Sequence, residues 1–528
     1  MTSAAHAGGG RFALGTVLRF AAGLAVGVAG LHLLPFEPTE ELPAVSVPIE
    51  PAGPILALHG ARVGDEVRVF VVGASLTSGF PYPARAGYAR QMQAGLRSVL
   101  GRTDVHVMEY AKPALDSPKL VEMVERLLRD YDPTLICVTL GSNEFANRIF
   151  GGRRLVPENL AELVREHASR ARVALRRLLP VSDPEGEEAS LQKRLLALVW
   201  TAKRGEPSFS SLPVSDADQA MLIARMRRAM RRMSAACAAR HVPLVFNVAV
   251  YGLGAYPPWG LSGSTCARVD RLVERSWRGL ERGMLEQVEG LLASQADRAD
   301  LQFLHGRLLR KFGRPTEARA AFERARDLDT VPMHQTGTIV AAIESEAKAL
   351  GRACLRLDAP LQARAVDGIQ GSEFFLDYGH LDVDGHRILA EFLTRQLAGL
   401  GLIPALPADW DGHFPGRVAM PPIVAQQASA NMAGMDGVFA MVFGNLRDAI
   451  PYLERAFLQT PDANDRARQL HAINLVLSAY GFAGRRDEII TRDQAATLQR
   501  AARLYAEMLV AKQNGTLDDW IAAVLSPR

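Results

Sequence analysis

The sequence of 528 residues is poor in cysteine, in lysine and in excess charge of either sign. Four cysteines are too few for a disulfide framework, and no two of them have the C-x-x-C spacing of a zinc site. They are Cys137, Cys237, Cys266 and Cys354. The formal net charge is +4, from 61 lysines and arginines against 57 acidic residues, and this balance does not favour a nucleic-acid-binding protein.

The composition is that of a folded protein. Hydrophobic residues make up 48% of the chain and charged residues 22%, which excludes general disorder. At about 100 to 200 residues per domain, a chain of this length is expected to form several structural units. We predict no cofactor.

An apolar run without charged residues extends from residue 20 to residue 36. Arg11 and Arg19 precede it and three glutamates follow it, a pattern that favours an N-terminus inside the cell and an exported remainder. We therefore predict a single-pass anchor within residues 1–36, in the inner or cell membrane, with the rest of the chain on the periplasmic or extracytoplasmic side. A cleaved signal peptide is the alternative, although no clear A-x-A site follows the run.

After a predicted linker over residues 37–60, short apolar runs alternate with helical patterns. Strands are predicted over residues 67–72, 105–108, 135–140, 243–250 and 354–358, and the helices nearest to them over 88–100, 118–131 and 388–397. Such alternation predicts a parallel sheet with helices on both faces. The sequence therefore predicts one α/β domain over 61–402, with helical insertions over about 151–240 and 267–330, followed by a helical region over 403–528.

Polar residues follow three of the predicted strands, where open parallel sheets collect their chemistry. Ser75 lies in a tight turn after the first strand, which exposes a hydroxyl near the start of a helix. Asn143 follows the third strand, where its amide can stabilise a developing oxyanion. After the fifth strand, Asp377 precedes His380 by three residues, so its carboxylate can orient the imidazole and leave the other ring nitrogen to accept a proton.

These segments resemble the sequence blocks of the SGNH/GDSL hydrolases. Gly73-Ala74-Ser75-Leu76 is similar to the G-D-S-L block with alanine in place of the acid, and residues 109–117 match a second block loosely. The G-x-N-[DE] block is matched by Gly141, Asn143 and Glu144, and the D-x-x-H block by Asp377 and His380 with Gly385 following. Three blocks in the family's order are far more specific than any one of them.

The resemblance implies a flavodoxin-like, three-layer α/β/α fold with a parallel sheet, and it assigns roles to individual residues. Ser75 is implied to be the nucleophile, His380 its base and Asp377 the residue that orients His380. The implied oxyanion hole consists of the Ser75 and Ala114 N–H groups and the Asn143 amide, with Gly73 and Gly141 supporting the turns. Since only a backbone N–H is needed, alanine can serve at position 114.

Each of these residues also has a purely structural interpretation. Ser75 can be a helix N-cap, Asn143 a turn residue and His380 a hydrogen-bonded loop histidine. The spacing of His380, Asp382, Asp384 and His386 also fits metal ligands, but no further ligand cluster accompanies them, and we predict no metal. We expect His386 to open the last helix and Glu144 to steady its own turn.

Residues 301–328 resemble a tetratricopeptide repeat. Two amphipathic helices are predicted there, broken at residues 313–315, with small residues at Gly306, Ala318 and Ala325 where the helices must approach closely. Similar patterns occur over 444–457 and 467–488, and an ordinary helical hairpin is the alternative. Such surfaces usually bind peptides or protein partners, and here they are also candidates for covering the active site.

The sequence therefore predicts a serine hydrolase of the SGNH/GDSL type that cleaves an ester on a lipid, a polysaccharide or another cell-envelope substrate. Two alternatives stay open. One is an acyltransferase that acts on an envelope polysaccharide. The other is a scaffold that binds partner proteins and is catalytically silent.

Overall fold

A five-stranded parallel sheet forms the centre of the fold. The computed structural model describes residues 53–113, 115–145, 214–260, 266–276, 279–415, 418, 420–442, 452, 455 and 459. The strands are β1 (Val67–Gly73), β2 (Val105–Ala111), β3 (Leu135–Leu140), β4 (Leu244–Val248) and β5 (Ala353–Arg356). They lie in the order β2-β1-β3-β4-β5. This is the flavodoxin-like order, so the predicted α/β class and its sheet topology are confirmed.

The described α-helices lie between and after these strands. In chain order they are α1 (Ser75–Ser78), α2 (Tyr88–Leu100), α3 (Ser117–Asp130), α4 (Asp216–Ala239), α5 (Ala267–Ser276), α6 (Arg282–Leu292), α7 (Ala299–Lys311), α8 (Pro315–Asp327), α9 (Gly337–Ala349), α10 (Asp358–Arg364), α11 (Val383–Gly399), α12 (Trp410–His413) and α13 (Pro422–Val442).

Helices cover both faces of the sheet. Because neighbouring side chains of a strand point to opposite faces, Phe70 and Val72 of β1 pack against α3, α4 and α9, whereas Val69 and Val71 pack against α2, α10 and α11. All four side chains are fully buried. Burial on both faces explains why the strands have continuous rather than alternating apolar sequences.

Several element boundaries differ from the prediction. The helix predicted over 388–397 is α11, which begins earlier because the Asp382 side chain accepts the Gly385 N–H at 2.7 Å and caps its first turn. The stretch predicted as helix over 267–328 consists of the four helices α5 to α8, and α9 lies where no helix is predicted. The fifth strand is shorter than predicted, since Asp358 already belongs to α10.

The predicted linker over 37–60 is folded near its end. Residues Gly53–Leu58 form a short 3-10 helix, and Ile55 and Leu58 are buried in the core on one face of the sheet. The predicted anchor over 1–36 and most of the insertion over 151–240 lie outside the described residues. Within the ranges that the structure describes, no helix is both long and apolar enough to cross a membrane.

The second insertion has a core of its own. Helices α5, α6 and α7 bury Val269, Met284 and Leu308 against one another. Helix α7 also packs on α8, and both contact Tyr251 and Ile369 in the loops that follow β4 and α10. The inserted helices are thus attached to the α/β domain by apolar contacts.

The small residues predicted to allow close helix approach lie between α7 and α8. Gly306 faces the ring of Phe322, and a Cβ added to it would lie 2.7 Å from that ring. Ala318 and Ala325 of α8 are buried. The tetratricopeptide assignment itself stays a prediction: the pattern over 444–457 is described only at Tyr452 and Arg455, and the pattern over 467–488 lies outside the described residues.

The start of the predicted C-terminal helical region packs on the sheet domain. Ala428 and Met432 of α13 form an apolar cluster with Tyr82 and Leu376. Leu376 directly precedes Asp377, so α13 contacts the segment that carries two of the predicted site residues.

The contact between Gly306 and Phe322 can be tested by substitution. We expect Gly306→Ala to destabilise the protein by about 1–3 kcal/mol, because the added methyl group overlaps the Phe322 ring. The matched control is Gly290→Ala in α6, where an added Cβ meets nothing within 4 Å. That change should stabilise the helix by up to about 1 kcal/mol. Denaturant unfolding measures both, and equal effects of the two substitutions would contradict the packing.

Candidate active site

Ser75 is the first residue of α1 and follows β1 almost directly. Gly73 ends β1 so close to α1 that a Cβ on it would lie 2.2 Å from Thr77 Oγ1. The N-cap position is taken by Ala74, which provides no side-chain cap. Ser75 is therefore not the capping residue, and its hydroxyl makes a different contact.

His380 lies in the segment before α11 and is held there by Asp377. The Oδ1 atom of Asp377 accepts the N–H groups of Gly379 (2.8 Å) and His380 (2.6 Å), and Oδ2 lies 2.5 Å from His380 Nδ1. The Asp377 side chain is fully buried. A carboxylate fixed by two backbone donors holds the imidazole in one orientation, with the proton on Nδ1 and the lone pair on Nε2.

The lone pair of His380 points at the predicted nucleophile. His380 Nε2 lies 2.7 Å from Ser75 Oγ, although the two residues are 305 positions apart in the sequence. With Nδ1 donating to Asp377, the Ser75 hydroxyl donates and Nε2 accepts. Phe80 packs edge-on against the imidazole, with ring centroids 5.2 Å apart. Asp377, His380 and Ser75 therefore form one continuous hydrogen-bonded chain.

Asn143 lies in the turn that follows β3. Gly141 opens this turn with a φ of 99°, in the left-handed region that favours glycine. Because β3 pairs in parallel with β1, the turns after the two strands lie at the same edge of the sheet. Asn143 Nδ2 is buried and has no acceptor among the described residues. A buried donor without a partner is costly, and this one can pair with an incoming oxygen.

The other predicted backbone donor, Ala114, lies outside the described residues. Its role in an oxyanion hole stays a prediction.

The described bonds of the Glu144 side chain lead from its turn to a neighbouring helix. Its Oε2 accepts the Ser117 Oγ–H at 2.8 Å, and Ser117 is the first residue of α3. The residue is only 5% exposed. Burial, and then the neighbouring Asp116 charge, raise the pKa of the Glu144 carboxyl to about 7. The sequence gives no signal for this contact, because it joins two elements 27 residues apart.

His386 lies inside the first turn of α11 rather than at its start, which corrects the prediction. It is fully buried, and burial and then the nearby His380 lower the pKa of its imidazole to about 3. Asp382 uses its side chain to cap α11, and His380 bonds to Asp377 and Ser75. In the described part of the chain no three His, Cys, Asp or Glu side chains converge as metal ligands, so the metal alternative has no support there.

A buried chain of hydroxyl groups lies next to the Ser75 helix. Tyr88 Oη lies 3.0 Å from Thr77 Oγ1 and 3.2 Å from Thr139 Oγ1. Burial raises the pKa of Tyr88 to about 12, so the phenol stays protonated. These bonds connect α1, which carries Ser75, to β3, the strand that precedes the Asn143 turn. The sequence analysis missed them because each residue fits an ordinary core position.

A second buried carboxyl lies on α13. Asp436 is fully buried, and burial and then the charge of Asp377 raise the pKa of Asp436 well above its usual value, while Arg455 lowers it. Tyr256 Oη donates to the Leu376 carbonyl, next to Asp377. No motif marks either residue in the sequence.

The chain was also compared with known proteins. It matches no protein-family model, and no curated protein is similar to it in sequence. Among solved structures it matches a member of the lipolytic G-D-S-L family from Veillonella parvula, at 9% identity and a TM-score of 0.27 over 62% of this chain and 94% of the other. It matches a psychrotrophic esterase from Pseudoalteromonas sp. at 8% identity and a TM-score of 0.27, over 64% of this chain and 98% of the other.

A GDSL-like lipase from Bacteroides thetaiotaomicron is matched at 11% identity and a TM-score of 0.29, over 66% of this chain and 94% of the other. At such TM-scores these alignments carry no argument about activity, which depends on the side-chain geometry above.

Proposed function

We propose that this protein is a serine ester hydrolase of the SGNH/GDSL type. The observation that carries the proposal is the hydrogen-bonded chain from Asp377 through His380 to Ser75, with contacts of 2.5 and 2.7 Å. Chance placement of three such side chains in this order, at the carboxyl edge of a parallel sheet, is improbable. The sequence blocks that contain these residues resemble those of the same family.

In the proposed reaction, Ser75 Oγ attacks the carbonyl carbon of an ester while His380 Nε2 takes the hydroxyl proton. Asp377 keeps the ring oriented and stabilises the imidazolium that forms. The tetrahedral intermediate collapses when the alcohol leaves with the proton from Nε2. Water, activated by the same nitrogen, then attacks the acyl-enzyme and releases the acid.

The negative charge that develops on the carbonyl oxygen needs donors in place before the reaction. Asn143 Nδ2 suits this role because it is buried and lacks an acceptor among the described residues. The N–H of Ser75, at the first position of α1, is the second proposed donor and the N–H of Ala114 the third. Such donors act only on the transition state, so they should affect kcat more than KM.

The substrate is proposed to be an O-acyl ester on a lipid, a polysaccharide or another component of the cell envelope. Its support is the predicted anchor within residues 1–36, which would hold the domain at the outer face of the membrane. An acyl-enzyme that transfers its acyl group to a sugar hydroxyl instead of water would make the protein an acyltransferase. Adding polysaccharide acceptors to the ester assay distinguishes these reactions, because only a transferase forms the acylated sugar.

Covalent labelling tests the nucleophile. We expect a fluorophosphonate to add once to the full chain, as read by intact mass, and the adduct to disappear in Ser75→Ala, because Ser75 Oγ is hydrogen-bonded to His380 Nε2. Ser78→Ala is the matched control, since Ser78 lies on the same short helix and its hydroxyl bonds to a backbone carbonyl. No adduct on folded protein would contradict the proposal and favour a silent scaffold.

Substitution of Asn143 tests the oxyanion donor. Asn143→Ala should lower kcat for a short activated ester by about 100- to 1000-fold and leave KM nearly unchanged. Ser142→Ala, in the same turn, serves as the control and should retain activity. Unchanged kcat in a folded Asn143→Ala protein would remove the amide from the mechanism.

Fractionation tests the predicted anchor. We expect the full chain to remain in the membrane pellet after an alkaline carbonate wash, and a chain that starts at residue 41 to be released, because only the first contains the apolar run of residues 20–36. Release of the full chain by the wash would contradict the anchor. An N-terminal sequence that begins after residue 36 would instead indicate a cleaved signal peptide.

A further inference from the structure

The turn that carries Asn143 is connected to a neighbouring helix by one buried carboxyl group. Glu144 Oε2 accepts the hydroxyl proton of Ser117 at 2.8 Å and lies 3.5 Å from the Ser117 backbone nitrogen. Ser117 begins α3, so the carboxyl lies at the end of that helix where unpaired N–H groups point outward. These bonds join the turn after β3 to the start of α3.

The charges around Glu144 indicate which form of the carboxyl fits the site. Asp116, which is 1% exposed at its side chain, forms an ion pair with Arg225 of α4 at 3.0 Å. Among the described residues, the charges that act on Glu144 are those of Asp116, which opposes ionisation of the carboxyl, and Arg225, which favours it. Arg225 is paired with Asp116, so in this part of the chain burial and Asp116 together favour the protonated form of Glu144.

We propose that Glu144 is a positioning residue that holds the Asn143 turn in place through its bond to Ser117. The inference rests on the hydrolase function proposed above and extends it to the oxyanion donor. Asn143 Nδ2 has no acceptor among the described residues, so the backbone next to it sets the orientation of the amide. Glu144, the next residue, restrains this backbone because its side chain is bonded to Ser117 of α3.

The burial of the Glu144 carboxyl predicts a dependence on pH. With a pKa of about 7, the Glu144 carboxyl is protonated in the folded protein well above the pH at which an exposed glutamate ionises. Because the pKa of Glu144 is higher in the folded than in the unfolded protein, the carboxyl stabilises the fold fully at low pH. This contribution to the free energy of unfolding is lost as the pH rises through about 7. Above that pH the residue that follows Asn143 in the sequence carries a buried negative charge, which is expected to oppose the developing oxyanion.

One substitution tests the effect of the charge on the Glu144 carboxyl, and a second serves as its control. Glu144→Gln keeps an oxygen acceptor for Ser117 and cannot ionise, so we expect its melting temperature relative to the wild type to rise between about pH 5 and pH 8. We also expect the kcat of the wild type to decline above about pH 7 and that of Glu144→Gln not to do so. Glu122→Gln makes the same change at a half-exposed position of α3 and should follow the wild type at every pH.

Glu144→Ala removes the bond to Ser117 altogether. We expect kcat to fall by about 10- to 100-fold at unchanged KM, because a small displacement of a transition-state donor is costly. In an Asn143→Ala background the same change should have almost no further effect, since the donor that it positions is gone. If Glu144→Ala does not fold, Ser117→Ala removes the same bond from the other side and takes its place.

The outcomes distinguish this inference from the function on which it rests. If the difference in melting temperature between Glu144→Gln and the wild type does not change with pH, the Glu144 carboxyl is not buried in a protonated form. This conclusion would hold even if the enzyme is active. An equal loss of kcat in both backgrounds would show that Glu144 acts on stability or folding and not through Asn143. Absence of any Ser75-dependent activity would overturn the proposed function and with it the catalytic role, while the melting curves would still report on the bond between Glu144 and Ser117.

Discussion

The parallel pairing of β1 with β3 is the constraint on which the rest of the site depends. In the order β2-β1-β3, the connections from β1 and from β3 lead to opposite sides of the sheet, which leaves a crevice at the carboxyl ends of these two strands. Ser75 follows the first of these ends and Asn143 the second. Their placement at one edge of the sheet is thus a property of the backbone register, to which side-chain contacts add. The Tyr88 hydroxyl, bonded to residues of both α1 and β3, makes such contacts.

The third component of the site comes from the far end of the domain and is fixed by local bonds. Asp377 folds back on the backbone of its own turn and on the ring of His380, so the two residues form a rigid unit before any contact with Ser75. The Asp382 cap then joins that unit to α11, which packs on the sheet. A short, self-bonded segment on a rigid helix can keep a 2.7 Å contact to a residue 305 positions away.

Sequence patterns could predict what depends on local or repeated order. The strands are predictable because both faces are buried and their apolar runs are continuous, and Ser75, Asn143, Asp377 and His380 are predictable because each lies in a short motif at a strand end or before a helix. Glu144, His386 and Asp436 are not predictable in this way. The contacts and pKa values of these residues depend on burial and on partners from distant segments. The sequence alone does not distinguish a buried charged or polar residue from one in a solvent-exposed loop. The first residue of α11 differs from the prediction because the Asp382 cap, and not the apolar period, determines where the helix begins.

The inserted helices contact an aromatic residue in the segment that carries His380. Tyr378 lies between Asp377 and His380 in the sequence, and it packs against both faces of the sheet core and against the cluster that α7 and α8 form. Arg310 of α7 pairs with Asp367 and donates to the Ile369 carbonyl at 3.0 Å, which fixes the insertion to the loop after α10. Changes in the insertion therefore reach the surroundings of His380 through packed side chains, while the strand register that brings Ser75 and Asn143 together is left unchanged. The strand register that places Ser75 and Asn143 is thus separate from the packing of the inserted helices around Tyr378.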